Sequence, residues 1–217
     1  VEYNKIPSAF TYLLSHDHYW EFTFVIKGIS REDNTAKLNL EIEITSADED
    51  LQHIPRKWEI KVAGFKECKI DLIKDDGEIE ILTDHPLLWK YNDVQSGLYF
   101  YGTCSDPYNL LLELYQVNEK LYEGYHNFTD IKRLDRLLLQ PGGLIANGPK
   151  QLLEQYAALL EKYDLKPSII GDRTLTEWNG AEHVPASREN KICWIGGNFI
   201  IGESFEFVPV EPEDIGK

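Results

Sequence analysis

The chain has 217 residues, 37 acidic against 22 basic side chains, and a formal net charge of −15. Acid exceeds base in both halves, 19 to 11 over residues 1–105 and 18 to 11 over residues 106–217, which argues against nucleic acid and anionic membranes as partners, because both need clustered Lys and Arg. An apolar content of 42% suits a globular chain of one large domain, with lobes dividing near residue 105 as the alternative.

In chain order the first signal is alternation. Trp20, Phe22, Phe24 and Ile26 fall on one face, with Glu21, Thr23 and Lys27 on the other. Leu38, Leu40, Ile42 and Ile44 repeat the pattern. Period 2 with one apolar face predicts half-buried antiparallel strands, joined by a polar loop over Ser30–Thr35. After an acidic loop at Asp48-Glu49-Asp50, Trp58, Ile60 and Val62 predict a third strand, with Cys68, Ile70 and Leu72 continuing it. Asp76-Gly77 reads as a hairpin turn, Ile79 and Ile81 as the strand after it, and Gly97–Gly102 as another.

The period then changes. Asp106-Pro107 is a helix start, with Asp as N-cap and Pro at the first helical position. Leu110, Leu111, Leu114, Val117 and Leu121 carry the helix to about Glu123. A shorter helix is expected over Asp130–Leu139. Pro141-Gly142-Gly143 reads as a break and Asn147-Gly148-Pro149 as the start of a further helix through Leu152, Leu153, Tyr156, Leu160 and Tyr163. Ser168–Ile170 reads as a strand and Asp172–Asn190 as a loop. Lys191–Ile195, Asn198–Ile201 and Phe205–Val210 read as short strands. Strands and helices are segregated, which predicts α+β: an antiparallel β-rich N-terminal lobe, two to three helices, and a short C-terminal β segment.

Few residues suggest catalysis. His16-Asp17-His18 places two imidazoles on one side of a strand, a metal-ligand pattern that lacks a third ligand nearby; a solvated turn is the simpler reading. Cys104 and Cys193 are nucleophile candidates only with a distant His126 or His183. With Cys68 they make an odd, widely spaced set, which predicts free thiols in a reducing cytoplasm. The glycine-rich stretch from Pro141 to Pro149 lacks the Lys-Ser/Thr of a phosphate loop. No Gly-x-Ser-x-Gly elbow is present, and Glu41 and Glu43 alternate on a solvent face. No cofactor motif is read, and no run of about 18 apolar residues suggests a membrane span.

The aromatics are more telling. Tyr108, Tyr115 and Tyr122 recur every seven residues in one expected helix, beside Glu119 and Glu123. Tyrosine is enriched at protein interfaces because it buries area at low entropic cost and keeps a polar tip.

Leu88-Trp89-Lys90-Tyr91, Leu98-Tyr99-Phe100, Asp106-Pro107 with its Leu-rich helix, and Asn147-Gly148-Pro149 together resemble bacterial proteins of polymorphic toxin–immunity systems. The resemblance spans roughly residues 85–165 and rests on no catalytic motif. It implies an immunity protein. The expectation is an acidic, cytoplasmic, non-enzymatic protein that occludes a basic, nuclease-like toxin, with Tyr108, Tyr115, Glu119, Tyr122 and Glu123 as the contact patch. The alternative is a hydrolase in the β-rich lobe, pairing His16 or His18 with carboxylates and a metal.

Overall fold

The structure is a computed structural model that describes residues 4–15, 22–47, 49–71, 78–124, 139–178 and 180–210. The fold is α+β. In chain order its elements are α1 (Ser8–Ser15), β1 (Phe22–Glu32), β2 (Thr35–Ile44), α2 (Glu49–Gln52), β3 (Lys57–Ala63), β4 (Glu67–Lys69) and β5 (Ile79–Leu82). Next come α3 (Pro86–Asn92), β6 (Gln95–Tyr101), α4 (Pro107–Tyr122), β7 (Gly142–Pro149), α5 (Lys150–Lys162) and β8 (Lys166–Arg173). The chain ends with β9 (Thr176–Trp178), β10 (His183–Pro185), β11 (Lys191–Ile195), β12 (Asn198–Gly202) and β13 (Ser204–Pro209).

Two compact units emerge: Val1–Asp84 with Glu189–Lys217, and His85–Arg188. Residue 105 lies inside the second unit. The charge divides unevenly between them. Residues 85–188 hold 13 acidic and 10 basic side chains, and the rest of the chain holds 24 and 12. The first unit therefore carries −12 of the −15, a bias that a cut at residue 105 conceals.

The first unit is built from two antiparallel sheets, ordered β1-β2-β3-β13 and β4-β12-β11-β5. Their inner faces share one core. Phe24, Leu38, Ile60 and Phe205 come from the first sheet, and Ile79, Cys193, Ile195 and Ile200 from the second. Helix α1 closes one end by inserting Phe10, whose ring centroid lies 4.7 Å from Trp58 and 5.3 Å from Phe24. That helix is too short, with two buried residues, Phe10 and Leu13, to show a helical period in sequence. His16 and His18 lie outside the described residues.

Strands β3 and β4 are one chain bent at Gly64, which adopts φ +62°. Cys68 therefore does not continue the third strand but pairs with Ile200 in the second sheet. The return chain, β12 into β13, bends at Gly202. A Cβ there would lie 2.5 Å from Val62 Cγ1 and 3.1 Å from the Ala63 carbonyl oxygen. Glu203 N–H donates to that same oxygen at 2.8 Å. Paired strands that turn one corner together carry the ladder from sheet to sheet. The β1–β2 hairpin is tighter than its polar sequence predicts: Glu32 pairs with Thr35 across Asp33-Asn34. Ser30 to Glu32 belong to the strand but are exposed, so they carry no apolar alternation. The expected turn at Asp76-Gly77 and Leu72 fall outside the described residues.

The second unit centres on the antiparallel sheet β7-β6-β8. Leu98 and Phe100 of β6 are buried on the face that α5 covers, and α4 packs against α5. Tyr99 and Tyr101 point the other way and are exposed. Two expectations are corrected. Residues 142–149 form strand β7 rather than a break, its alternation hidden by glycines, and the expected helix starts directly after Pro149. At Gly142 a Cβ would lie 2.9 Å from the Phe100 carbonyl, so the backbone needs glycine there. The expected loop after residue 172 contains the β9–β10 hairpin, in which Trp178 pairs with His183. The helix expected over Asp130–Leu139 lies, except for Leu139, outside the described residues. Helix α5 has no side-chain cap of its own. Asp93 supplies one from 58 residues away, accepting from Gln151 N–H at 2.8 Å.

The corner at Gly202 makes a direct prediction. Gly202→Val should destabilise the protein by about 3 kcal/mol, because the added atoms meet Val62 and the Ala63 carbonyl. Gly28→Ala, where a Cβ meets nothing within 4 Å, should change stability by less than about 0.5 kcal/mol. Urea unfolding midpoints of the two variants check this.

Candidate functional site

Helix α4 is capped at both ends. Asp106 Oδ1 accepts from Asn109 N–H at 3.1 Å and Oδ2 from Asn109 Nδ2 at 2.9 Å. At the other end Glu123 takes a left-handed conformation, φ 48°, and its N–H donates to the Glu119 carbonyl at 2.7 Å. Along the outer side Tyr108 is 73% exposed, Leu112 52% and Tyr115 45%. Glu119 is half-buried and Glu123 exposed. Spacings of four and three put Tyr108, Leu112, Tyr115 and Glu119 in one row.

Tyr122 is not part of that row. It is 4% exposed and belongs to the packing of the unit, so the heptad reading of three surface tyrosines is corrected at its third member. The buried residues of α4 are Leu110, Leu114, Asn118 and Tyr122, a row stepping by four. Such a row rotates about 40° around the helix at each step, whereas a heptad drifts back by only about 20°. The two rows converge at residue 122, where burial prevails. Elsewhere along the helix, Tyr156 OH donates to Asn118 Oδ1 at 3.4 Å and Tyr163 OH to Glu113 Oε1 at 2.8 Å. Burial pushes the Tyr122 hydroxyl up to about 12, and the bond to Glu113 does the same for Tyr163.

The open face of the β7-β6-β8 sheet holds a second feature, a hollow of about 690 Å³. Each outer strand bulges beside it. Leu98 and Tyr99 pair with Ala146 and Leu144, leaving Ile145 as the extra residue. Gln95 and Gly97 pair with Arg173 and Ile170, leaving one extra residue in β8. Bulges bend strands and re-aim side chains. Between them lies Gly97, where a Cβ would meet Asn147 Oδ1 at 3.1 Å, Tyr99 Cε2 at 3.2 Å and Leu144 Cδ1 at 3.4 Å. Three side chains thus lean over a bare stretch of backbone, with Ile170 and Arg173 completing the wall. Sequence reading passed over this site because a glycine within a strand carries no side-chain signal. Gly97, Gly148 and Gly171 come together only through strand pairing, so no local signal marks the site.

Behind the hollow, Asp172 accepts from Ser96 Oγ at 2.7 Å and from Lys150 Nζ at 2.9 Å. The Ser96 hydroxyl and then Lys150 hold its carboxyl below the ordinary range. Asp172 in turn raises the Lys150 ammonium above its usual value. A lysine held protonated takes no proton from a serine, so the trio is a structural ion-pair network. The cysteines point the same way. Burial pushes the thiols of Cys68, Cys104 and Cys193 up, which makes them poor nucleophiles. Of their expected partners, His126 lies outside the described residues, and the His183 ring packs against Trp178 at 5.3 Å. Among the described residues, no group of three or more His, Cys, Asp or Glu comes together as metal ligands.

No protein-family model matches the chain, and none of the curated proteins or solved structures compared with it matches it.

Tyr122 gives this packing a pH signature. A tyrosine raised in the fold keeps its proton while the unfolded chain loses one at its ordinary value of 10. Stability is therefore lost as pH rises from 10 towards 12. Tyr122→Phe should flatten that loss relative to the native chain, read as urea midpoints at pH 8 and pH 11. An identical alkaline decline in both proteins would contradict the assignment.

Proposed function

We propose that this chain is a non-enzymatic protein-binding protein that docks through the outer face of α4, and that its role is that of a bacterial immunity protein covering a basic toxin. The observation that carries the reading is the row Tyr108, Leu112 and Tyr115, exposed on a helix capped at both ends. Rigid aromatic anchors lose little entropy on binding and dominate interface energies. Of the exposed large hydrophobic residues among those described, all but Ile29 and Val210 fall in His85–Arg188. That unit is nearly neutral, so its surface suits apolar contact. The first unit's charge of −12 attracts a basic partner at a distance and speeds the encounter. Glu119 and Glu123 add local charge at the end of the row. Three free cysteines suit a reducing cytoplasm, and no helix among the described residues is long and apolar enough to cross a membrane.

The test is capture of a partner from lysate of the source cells, compared between the native chain and a Tyr108→Ser, Tyr115→Ser double variant. One basic protein should co-purify at low salt and be lost as salt rises. The double variant should lower its affinity by roughly 30-fold or more, as loss of interface anchors does, with unchanged circular dichroism. Capture that ignores the double variant would remove α4 as the docking face. Metal in the purified protein, with no partner, would favour the hydrolase reading at His16 and His18.

A further inference from the structure

We propose that the hollow over Gly97, where Tyr99 and Asn147 lean over bare strand backbone and Arg173 lines the wall, binds a small aromatic anion. The site is separate from the α4 docking face and does not depend on it.

The shape comes first. A volume of about 690 Å³ lies within the range of small-molecule sites. Glycine in a strand interior weakens the strand and marks places where something approaches the backbone closely. Here the atoms nearest the missing Cβ are Asn147 Oδ1, at 3.1 Å, and the edge of the Tyr99 ring, at 3.2 Å. Gly97 lets that ring lie low against the sheet, and the ring remains 39% exposed. The exposed part of the ring is a stacking platform. Leu144 and Ile170, 38% and 51% exposed, flank it with aliphatic surface. A flat ring fits such a slot better than a bulky aliphatic group, because offset stacking adds to area burial.

Charge selects among flat rings. Arg173 sits at the rim, and among the described residues no hydrogen bond or ion pair engages its guanidinium. Its neighbour Asp172 does not neutralise it, since both Asp172 oxygens are committed, one to Ser96 and the other to Lys150. A guanidinium presents a fork of donors that matches carboxylate, sulfonate or phosphate oxygens. Asn147 offers a donor and an acceptor to a polar ring edge. A polyanion is a poorer fit, because a unit with 13 acidic and 10 basic side chains lacks the cation track that a nucleic acid strand requires.

The experiment titrates the full chain with 8-anilinonaphthalene-1-sulfonate and with its neutral counterpart N-phenyl-1-naphthylamine, read by fluorescence. The sulfonate should bind with one site per chain. Arg173→Gln should weaken the sulfonate about tenfold and leave the neutral dye unchanged, because one charge-assisted contact is lost. Gly97→Val should abolish binding of both dyes by lifting the Tyr99 ring. Where that variant fails to fold, Tyr99→Leu gives the equivalent reading with less change to the backbone. The Tyr108→Ser, Tyr115→Ser variant should bind the sulfonate as the native chain does. Unchanged sulfonate affinity in Arg173→Gln, or binding that survives both Gly97→Val and Tyr99→Leu, would overturn the proposal. So would loss of the dye on altering α4 alone.

Discussion

The ladder between β5 and β11 closes the first unit, and the rest of that unit depends on it. Leu82 pairs with Ile192 and Ile79 with Ile195, while the whole of His85–Arg188 lies between these strands in sequence. Strands β11 and β12 are the central pair of one sheet, and β13 is an edge of the other. Neither sheet is complete until the last eighth of the chain, from Lys191 onward, arrives. Closing so long a loop costs entropy, but the cost grows slowly, by about 0.6 kcal/mol for each doubling of length. Because Leu82 and Ile192 are direct partners, the inserted unit leaves and rejoins the first at neighbouring points of one sheet. An insertion of this kind is tolerated where chain ends lie close together.

This non-local closure explains which parts of the fold were legible in the sequence. Strands β1, β2 and β3 alternate apolar and polar residues, so their faces were readable one residue at a time. Helix α4 announced itself through Asp106 and Pro107, which act locally. The three C-terminal strands were marked off by Gly196-Gly197 and Gly202. What was hidden is pairing between distant segments. Nothing near residue 84 or 189 signals that the chain leaves one unit and returns, because the information lies in the match between Ile79–Leu82 and Lys191–Ile195. The same holds for β7, whose Gly142 serves close approach to β6 rather than a turn. Asp93 caps α5 from far along the chain, a relation that no local motif records.

The candidate sites show a similar division. Tyr108 and Tyr115 were readable as a surface pair from spacing alone. Tyr122 was misplaced because a seven-residue count assumes a straight stripe, while the contact with α5 follows the four-residue ridge and winds round the helix. Asn118, an unpromising core residue by composition, lies on that ridge and accepts from Tyr156. The hollow over Gly97 was not readable at all. Its floor is an absent side chain, and its walls come from three strands whose registers are set by bulges at Ile145 and beyond Ile170.

The two units differ in what they offer to the surroundings, and that difference bears on function more than any single residue does. A surface carrying −12 keeps its unit solvated and acts at range, but only within about a Debye length, roughly 8 Å at physiological salt. A nearly neutral surface with exposed tyrosines, leucines and isoleucine acts at contact, where desolvation costs little. Catalysis needs groups poised to give and take protons near neutral pH. In the inserted unit the titratable groups with the clearest shifts are moved away from neutrality. Lys150 is held protonated, Asp172 ionised, and Tyr122 and Tyr163 neutral. The burial and hydrogen bonds behind those shifts tie β6, β8, α4 and α5 to one another. Under the proposed binding role, apolar side chains on one capped helix and a hollow on one sheet offer contact surface whose placement is fixed by the fold, which lowers the ordering cost of association.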